Sequence, residues 1–127
     1  MSERCPFCEV LPERVVARNS LAIAIRDGFP IAEGHTLVVP REHEAHLFDL
    51  PGQTQAALWQ LVGEVRNELH LELSPAGFNI GLNDGIAAGQ TVMHVHIHVI
   101  PRYKGDVEDP RGGIRCVIPD KAKYWKD

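Results

Sequence analysis

An α+β fold, a five-stranded antiparallel meander sheet packed on one long helix, is what residues 1–127 predict. Three observations carry the prediction. Short β-branched or alternating runs occur before residue 41 and after residue 77, one apolar stripe of helical period lies between them, and glycine- or proline-bearing turns separate the segments. A chain of 127 residues has room for one hydrophobic core, so a single domain over 1–127 is expected.

The elements follow in order. Residues 14–18 and 21–26 alternate or are β-branched, and Asn19-Ser20 between them reads as a hairpin turn. Asp27-Gly28-Phe29-Pro30 is turn chemistry, after which residues 34–40 give a third strand, making three strands of a meander. Asp49-Leu50-Pro51 starts a helix, with Pro suited to a first turn and Asp49 a candidate cap. Leu58, Leu61, Val62, Val65 and Leu69 then fall at i, i+3, i+4, i+7 and i+11, one stripe on a helix running to about residue 71. Such a stripe needs a sheet to cover; Trp59 lies off it, at a second packing surface or a subunit contact. Ser74-Pro75-Ala76-Gly77 breaks the helix, and residues 78–83 resume strand alternation. Asn83-Asp84-Gly85 opens a glycine-bearing loop to Gly89-Gln90 in which backbone amides can approach an anion closely. Beyond Tyr103, residues 109–118 have room for one short strand, and residues 121–127 read as a terminus that frays or orders on contact.

The most informative stretch is 90–102, QTVMHVHIHVIPR, which sets His94, His96 and His98 at two-residue spacing with Val95, Ile97 and Val99 between them. Alternation puts the imidazoles on one face of a strand, about 6.6 Å apart, and the β-branched residues on the other. Pro101 ends the run because it cannot donate to a ladder. Three readings fit: polar surface, a metal site built from neutral imidazoles, or a catalytic strand with one nucleophilic imidazole and others holding phosphate oxygens.

Composition narrows the partners. Net charge is −4, and the 13 Lys and Arg residues are dispersed, so no basic stripe points to nucleic acid. No apolar run reaches the length of a membrane span and Met1-Ser2-Glu3-Arg4 leads into no signal-peptide segment, which makes the cytoplasm the expected location. Three cysteines, an odd number, argue against a disulfide framework. Cys5-Pro6-Phe7-Cys8 reads as half a zinc site or a redox pair. Zinc is favoured, because thioredoxin-type redox chemistry wants a preceding strand and only four residues precede Cys5.

The pattern His-apolar-His-apolar-His-apolar-apolar at 94–100, with Gly89-Gln90-Thr91-Val92 before it and Pro101-Arg102 after it, resembles the histidine triad (HIT) family. Its flanks match the branch that hydrolyses dinucleoside polyphosphates, and the resemblance runs over residues 5–105. It implies a catalytic set of His94, His96, His98 and Thr91, with His96 forming a covalent nucleotidyl-imidazole on an α-phosphate that water then hydrolyses. His35 joins His98 in donating to phosphate oxygens; Asn83, Gln90 and Thr91 complete the cradle; Asp27 contacts the ribose; and Phe7, Val10 and Ile25 form an apolar slot for the base, expected to be adenine. Zinc-carrying members imply a structural Zn2+ on Cys5, Cys8, His43 and His94, and the chemistry requires no catalytic cofactor. A homodimer is implied as well. The substrate is a dinucleoside polyphosphate or, alternatively, a nucleoside phosphoramidate; a non-catalytic nucleotide sensor is the remaining alternative. Because the chain ends soon after the triad strand, the C-terminal contacts by which longer members choose substrate are expected to be missing.

Overall fold

A computed structural model describes residues 4–127. Five strands, β1 (Val15–Arg18), β2 (Ala22–Arg26), β3 (Thr36–Pro40), β4 (Gly77–Gly81) and β5 (Ile97–Arg102), form one antiparallel sheet, and one helix, α1 (Gly52–Leu73), packs on it. The first turn is set by Asn19, whose side-chain oxygen accepts from the N–H groups of Leu21 and Ala22 at 3.0 and 2.8 Å. The stripe Leu58, Leu61, Val62, Val65 and Leu69 is buried against Ala22, Ala24, Val38, Ile97 and Val99. Trp59 lies off the stripe and is 43% exposed.

The meander holds for β1, β2 and β3 only. The strand order is β1-β2-β3-β5-β4, so the triad strand inserts between β3 and β4. Burial explains the exchange. Ile97 and Val99 of β5 are fully buried and need neighbours on both sides, whereas the short, glycine-bounded β4 has no buried residue and suits an edge. Three further expectations are corrected. The regular strand begins at Ile97 and not at residue 90: pairing with β3 stops at Val38 opposite Ile97, and the preceding chain instead runs along the 41–46 loop, where the Val95 N–H donates to the Glu44 carbonyl at 2.7 Å. Asp49 does not cap α1; it lies in a separate 3-10 turn, Leu47–Asp49, and Pro51 precedes the helix without a side-chain cap. Residues 109–118 form no strand. Gly112 takes φ +91°, outside extended space, and 3-10 turns follow at Gly113–Val117 and Pro119–Lys121. The last residues are tied down, with Ala122 buried and Arg111 both paired with Asp127 and stacked over Trp125.

One cross-strand row positions the site. Val15, Ile25, Leu37, His98 and Gly81 are successive partners across all five strands. Ile25 and Leu37 belong to a second apolar cluster with Ile23 and Val39, against which Phe7 and Val10 pack. On β2 and β3 these residues alternate with the helix-facing Ala22, Ala24 and Val38, so the row faces away from α1.

Candidate active site

The sheet face opposite α1 is the floor of a cavity of about 1130 Å³. His96 and His98 line its centre, Phe7, Asp27 and His35 lie toward the β1–β3 side, and Asn79 and Ile80 of β4 lie toward the other. Opposite His98, Gly81 offers no side chain, and a Cβ built there meets nothing within 4 Å, so the floor beside the imidazole stays open. The loop from Asn83 to Thr91 closes one rim: Asn83, Ala87, Ala88, Gly89 and Thr91 all line the cavity. Gly89 makes that loop possible by ending its 3-10 turn at φ +100°.

Hydrogen bonds fix the protons on the three central rings. The main-chain carbonyl of His94 can only accept, so His96 Nδ1, 2.9 Å away, carries the hydrogen and His96 Nε2 keeps its lone pair. The Ile31 N–H can only donate, so His35 Nδ1 accepts it at 3.2 Å and His35 Nε2 is the protonated nitrogen. That N–H donates to His98 Nδ1 at 2.9 Å, which leaves His98 with an Nε2–H as its free donor. Burial pushes the His98 pKa down to about 4, with the neighbouring His96 and His35 adding to the effect and Asp27 opposing it. Burial also lowers His35, again opposed by Asp27. Both rings are therefore neutral near pH 7, as the hydrogen-bond chain requires. Asp27 is anchored by accepting from the Phe29 N–H at 2.8 Å, and its second oxygen lies 3.4 Å from His35 Nε2.

His94 does different work. Its ring is fully buried, and Nε2 donates to the Pro40 carbonyl at 2.8 Å, so the lone pair sits on Nδ1. That nitrogen faces Cys5 Sγ at 3.4 Å, Cys8 Sγ at 3.5 Å and His43 Nδ1 at 3.2 Å, while Cys8 Sγ lies 3.2 Å from His43 Nδ1. Zinc bond lengths with tetrahedral angles require S···N separations of about 3.6 Å and N···N of about 3.3 Å. The four residues named from the sequence thus converge with the spacing such an ion needs, and the Pro40 bond supplies the outer contact that orients a ligating imidazole. Asp27, His35 and His98 also cluster within metal-ligand range, but His35 Nε2 and His98 Nδ1 are committed to each other and His35 Nδ1 to the Ile31 N–H.

The other named residues divide. Phe7, Asp27, His35, Asn83 and Thr91 line the cavity with His96 and His98, whereas Ile25 is fully buried beneath Phe7 and Val10 lies in the same cluster, neither on the cavity wall. Gln90 is not a cradle residue here. Its side chain is buried: Oε1 accepts from the Gly85 N–H at 2.9 Å, and Nε2 donates to the Ala45 and Val92 carbonyls at 2.9 and 3.0 Å. It clamps the Asn83–Thr91 loop to the loop bearing His43, and an exposed His46–Asp84 pair at 2.8 Å, which raises the His46 pKa, joins the same two loops.

Sequence reasoning missed two features. Arg14 reaches the cavity and donates to the Arg26 carbonyl at 3.1 Å. The C-terminal segment, given no site residue from the sequence, supplies Gly113, Ile114, Val117 and Ile118 to the wall beside β4, with Gly113 packed near Asn79. The signal available was the aliphatic spacing of Ile114, Val117 and Ile118 within an otherwise polar tail.

The HIT domain pattern matches residues 9–105. An uncharacterised 16.1 kDa HIT-like protein of Mycoplasma pneumoniae is 37% identical over 81% of this chain and 74% of its own length. The bis(5'-nucleosyl)-tetraphosphatase [asymmetrical] of Schizosaccharomyces pombe is 38% identical over 76% of this chain, which spans only 53% of that enzyme. Among solved structures, a Zn-bound histidine triad family protein from Mycobacterium smegmatis superimposes with a TM-score of 0.75 at 35% identity, covering 83% of this chain and 79% of that one. The match over most of the length and the shared sheet-and-helix architecture lead to one conclusion: the chain belongs to the HIT domain family.

Proposed function

We propose that this protein is a nucleotide hydrolase or nucleotidyltransferase that cleaves at the α-phosphate of a dinucleoside polyphosphate, such as diadenosine tetraphosphate, through a covalent nucleotidyl-His96. The observation that carries the reading is the bond from His96 Nδ1 to the His94 carbonyl, which leaves Nε2 unprotonated on the cavity wall. In the first step the Nε2 lone pair forms a bond to the α-phosphorus, and the bond to the leaving oxygen breaks with its electron pair. His98 Nε2–H donates to a phosphate oxygen as charge builds, relayed from His35, and Asn83 and Thr91 contact the phosphates from the loop. Water then displaces His96, releasing a nucleoside monophosphate. Asp27 faces the ribose, and Phe7 with Leu37 walls the base. Cys5, Cys8, His43 and His94 would hold zinc, which would tie the 5–8 turn to the loop bearing His43 and to His94, a structural role apart from the displacement.

A second reading, hydrolysis of a nucleoside phosphoramidate, is favoured by the far wall. Ile114, Val117 and Ile118 face the cavity there, and Arg14, among the described residues the one arginine lining it, belongs to the opposite side. Among the described residues no Lys or Arg lines the cavity on the β4 side, and Arg102, which donates to Asn79 Oδ1 at 2.6 Å, is already paired with Asp106. The test is a panel comparing diadenosine tetraphosphate with adenosine phosphoramidate, with products identified and single-turnover trapping of nucleotidyl-histidine. His96→Asn should abolish turnover while binding persists. Unchanged turnover in that variant defeats both readings, and binding with no turnover or trapped adduct in the parent protein leaves a nucleotide sensor.

A further inference from the structure

Phe7 stands between the two cysteines of the Cys5-Pro6-Phe7-Cys8 turn and touches both halves of the site. Its ring centroid lies 5.9 Å from that of His94, edge-on at 82°, and 5.0 Å from that of His96. One aromatic side chain therefore bridges the metal-binding imidazole and the imidazole whose Nε2 faces the cavity, and it forms part of the cavity wall. The turn is closed internally, with the Cys8 and Glu9 N–H groups donating to the Cys5 carbonyl at 3.2 Å. Among the described residues, 5–10 make no backbone hydrogen bond to the sheet or its loops. What attaches this segment is the packing of Phe7 and Val10 on the small apolar cluster and the convergence of Cys5 and Cys8 on His43 and His94. Without an ion, that second attachment reduces to weak thiol–imidazole contacts. With an ion, one metal–thiolate bond at Cys5 and one at Cys8 would fix both ends of the four-residue turn that holds Phe7, tying it to His43 and His94.

We propose that Phe7 is a positioning residue through which ion binding at Cys5, Cys8, His43 and His94 and nucleotide binding in the cavity strengthen each other. An ion that pins the turn holds Phe7 against His96, so the ordering of this wall is already complete when a nucleotide arrives. A nucleotide that packs on Phe7 holds the two thiols where the ion needs them. Linkage makes the two effects equal: whatever factor zinc contributes to nucleotide affinity, the nucleotide contributes to zinc affinity. The inference rests on the nucleotide reading of the cavity given above.

The experiment measures adenosine monophosphate binding by calorimetry to zinc-loaded protein and to protein stripped by chelator, with circular dichroism confirming that the stripped form is folded. Loaded protein is expected to bind at least about fivefold more tightly, the lower end of ordinary coupling between sites. A reciprocal arm needs only folded, loaded protein: zinc affinity, measured by chelator competition, should rise by the same factor at saturating adenosine monophosphate. Phe7→Ala should bring both factors to within about twofold of one while zinc is still bound, and Phe7→Leu, which keeps apolar packing on the cluster but removes the ring bridge, should do the same. Equal nucleotide affinity of loaded and stripped protein overturns the proposal, as does coupling that survives in both variants. Failure of adenosine monophosphate to bind either form overturns the nucleotide reading itself, and this inference with it.

Discussion

Replacing Gln90 by leucine distinguishes a clamp from a ligand contact. The buried amide makes three hydrogen bonds, to the Gly85 N–H and to the Ala45 and Val92 carbonyls, all between 2.9 and 3.0 Å. Leucine fills similar space but leaves one main-chain donor and two acceptors without that partner. Each group left dry and unpaired costs roughly 1–3 kcal/mol, so three of them put the loss at about 3 kcal/mol or more. For a domain whose whole stability is of order 5–15 kcal/mol, that is a large shift in a urea titration at unchanged slope. Gln90→Glu should be at least as damaging, because a carboxylate oxygen would then face the Ala45 and Val92 carbonyls. If Gln90→Leu lost less than 1 kcal/mol and only raised the KM for a nucleotide substrate, the side chain would be a phosphate contact and the clamp argument would be refuted.

Four other outcomes follow from the same geometry. His98 has a folded-state pKa lowered to about 4 against an ordinary value near 6.5, so the unfolded chain binds the extra proton first; stability should be fully present above pH 6.5 and fall as pH drops toward 4, a slope that urea midpoints at pH 7 and pH 5 should find flattened in His98→Asn. Metal analysis of purified variants should show zinc lost in His43→Ala and retained in His98→Ala; loss in the second would put the ion on the triad face. Leu61→Ala removes a fully buried side chain from the helix stripe and should cost about 2–5 kcal/mol by chemical unfolding. Light scattering in solution should give twice the 14.1 kDa chain mass, because the short β4 edge and the exposed Trp59 suit an isologous contact, and a monomer at micromolar concentration would contradict it.

Much of the fold was legible because it rests on local period and turn chemistry. The stripe from Leu58 to Leu69 names the buried face of α1, and Asn19-Ser20 marks the first hairpin, because both depend on neighbours within a few residues. The exchange of β4 and β5 was not legible, since strand order is decided by which apolar residues need cover on both sides, a property of the assembled sheet. The same limit applies to the site. Alternation at 94, 96 and 98 predicts three imidazoles on one strand face, but His94 precedes the regular strand, and its separate role depends on the Pro40 carbonyl and on two distant thiols. Gln90 illustrates it most plainly: the amide next to Thr91 looks like a ligand contact in one dimension, and its three partners come from positions 45, 85 and 92. The tail was misread for a related reason, because Gly112 redirects the chain and brings Ile114 back over β4.

Two segments outside the five strands, Pro6-Phe7 on one side and Gly113 to Ile118 on the other, form opposite flanks of the same cavity. Substitutions in these flanking segments can therefore reshape what the cavity admits while leaving the sheet, the helix contact and the paired imidazoles at its centre untouched. Divergence among proteins of this architecture has a physically inexpensive route through segments that carry none of the sheet pairing.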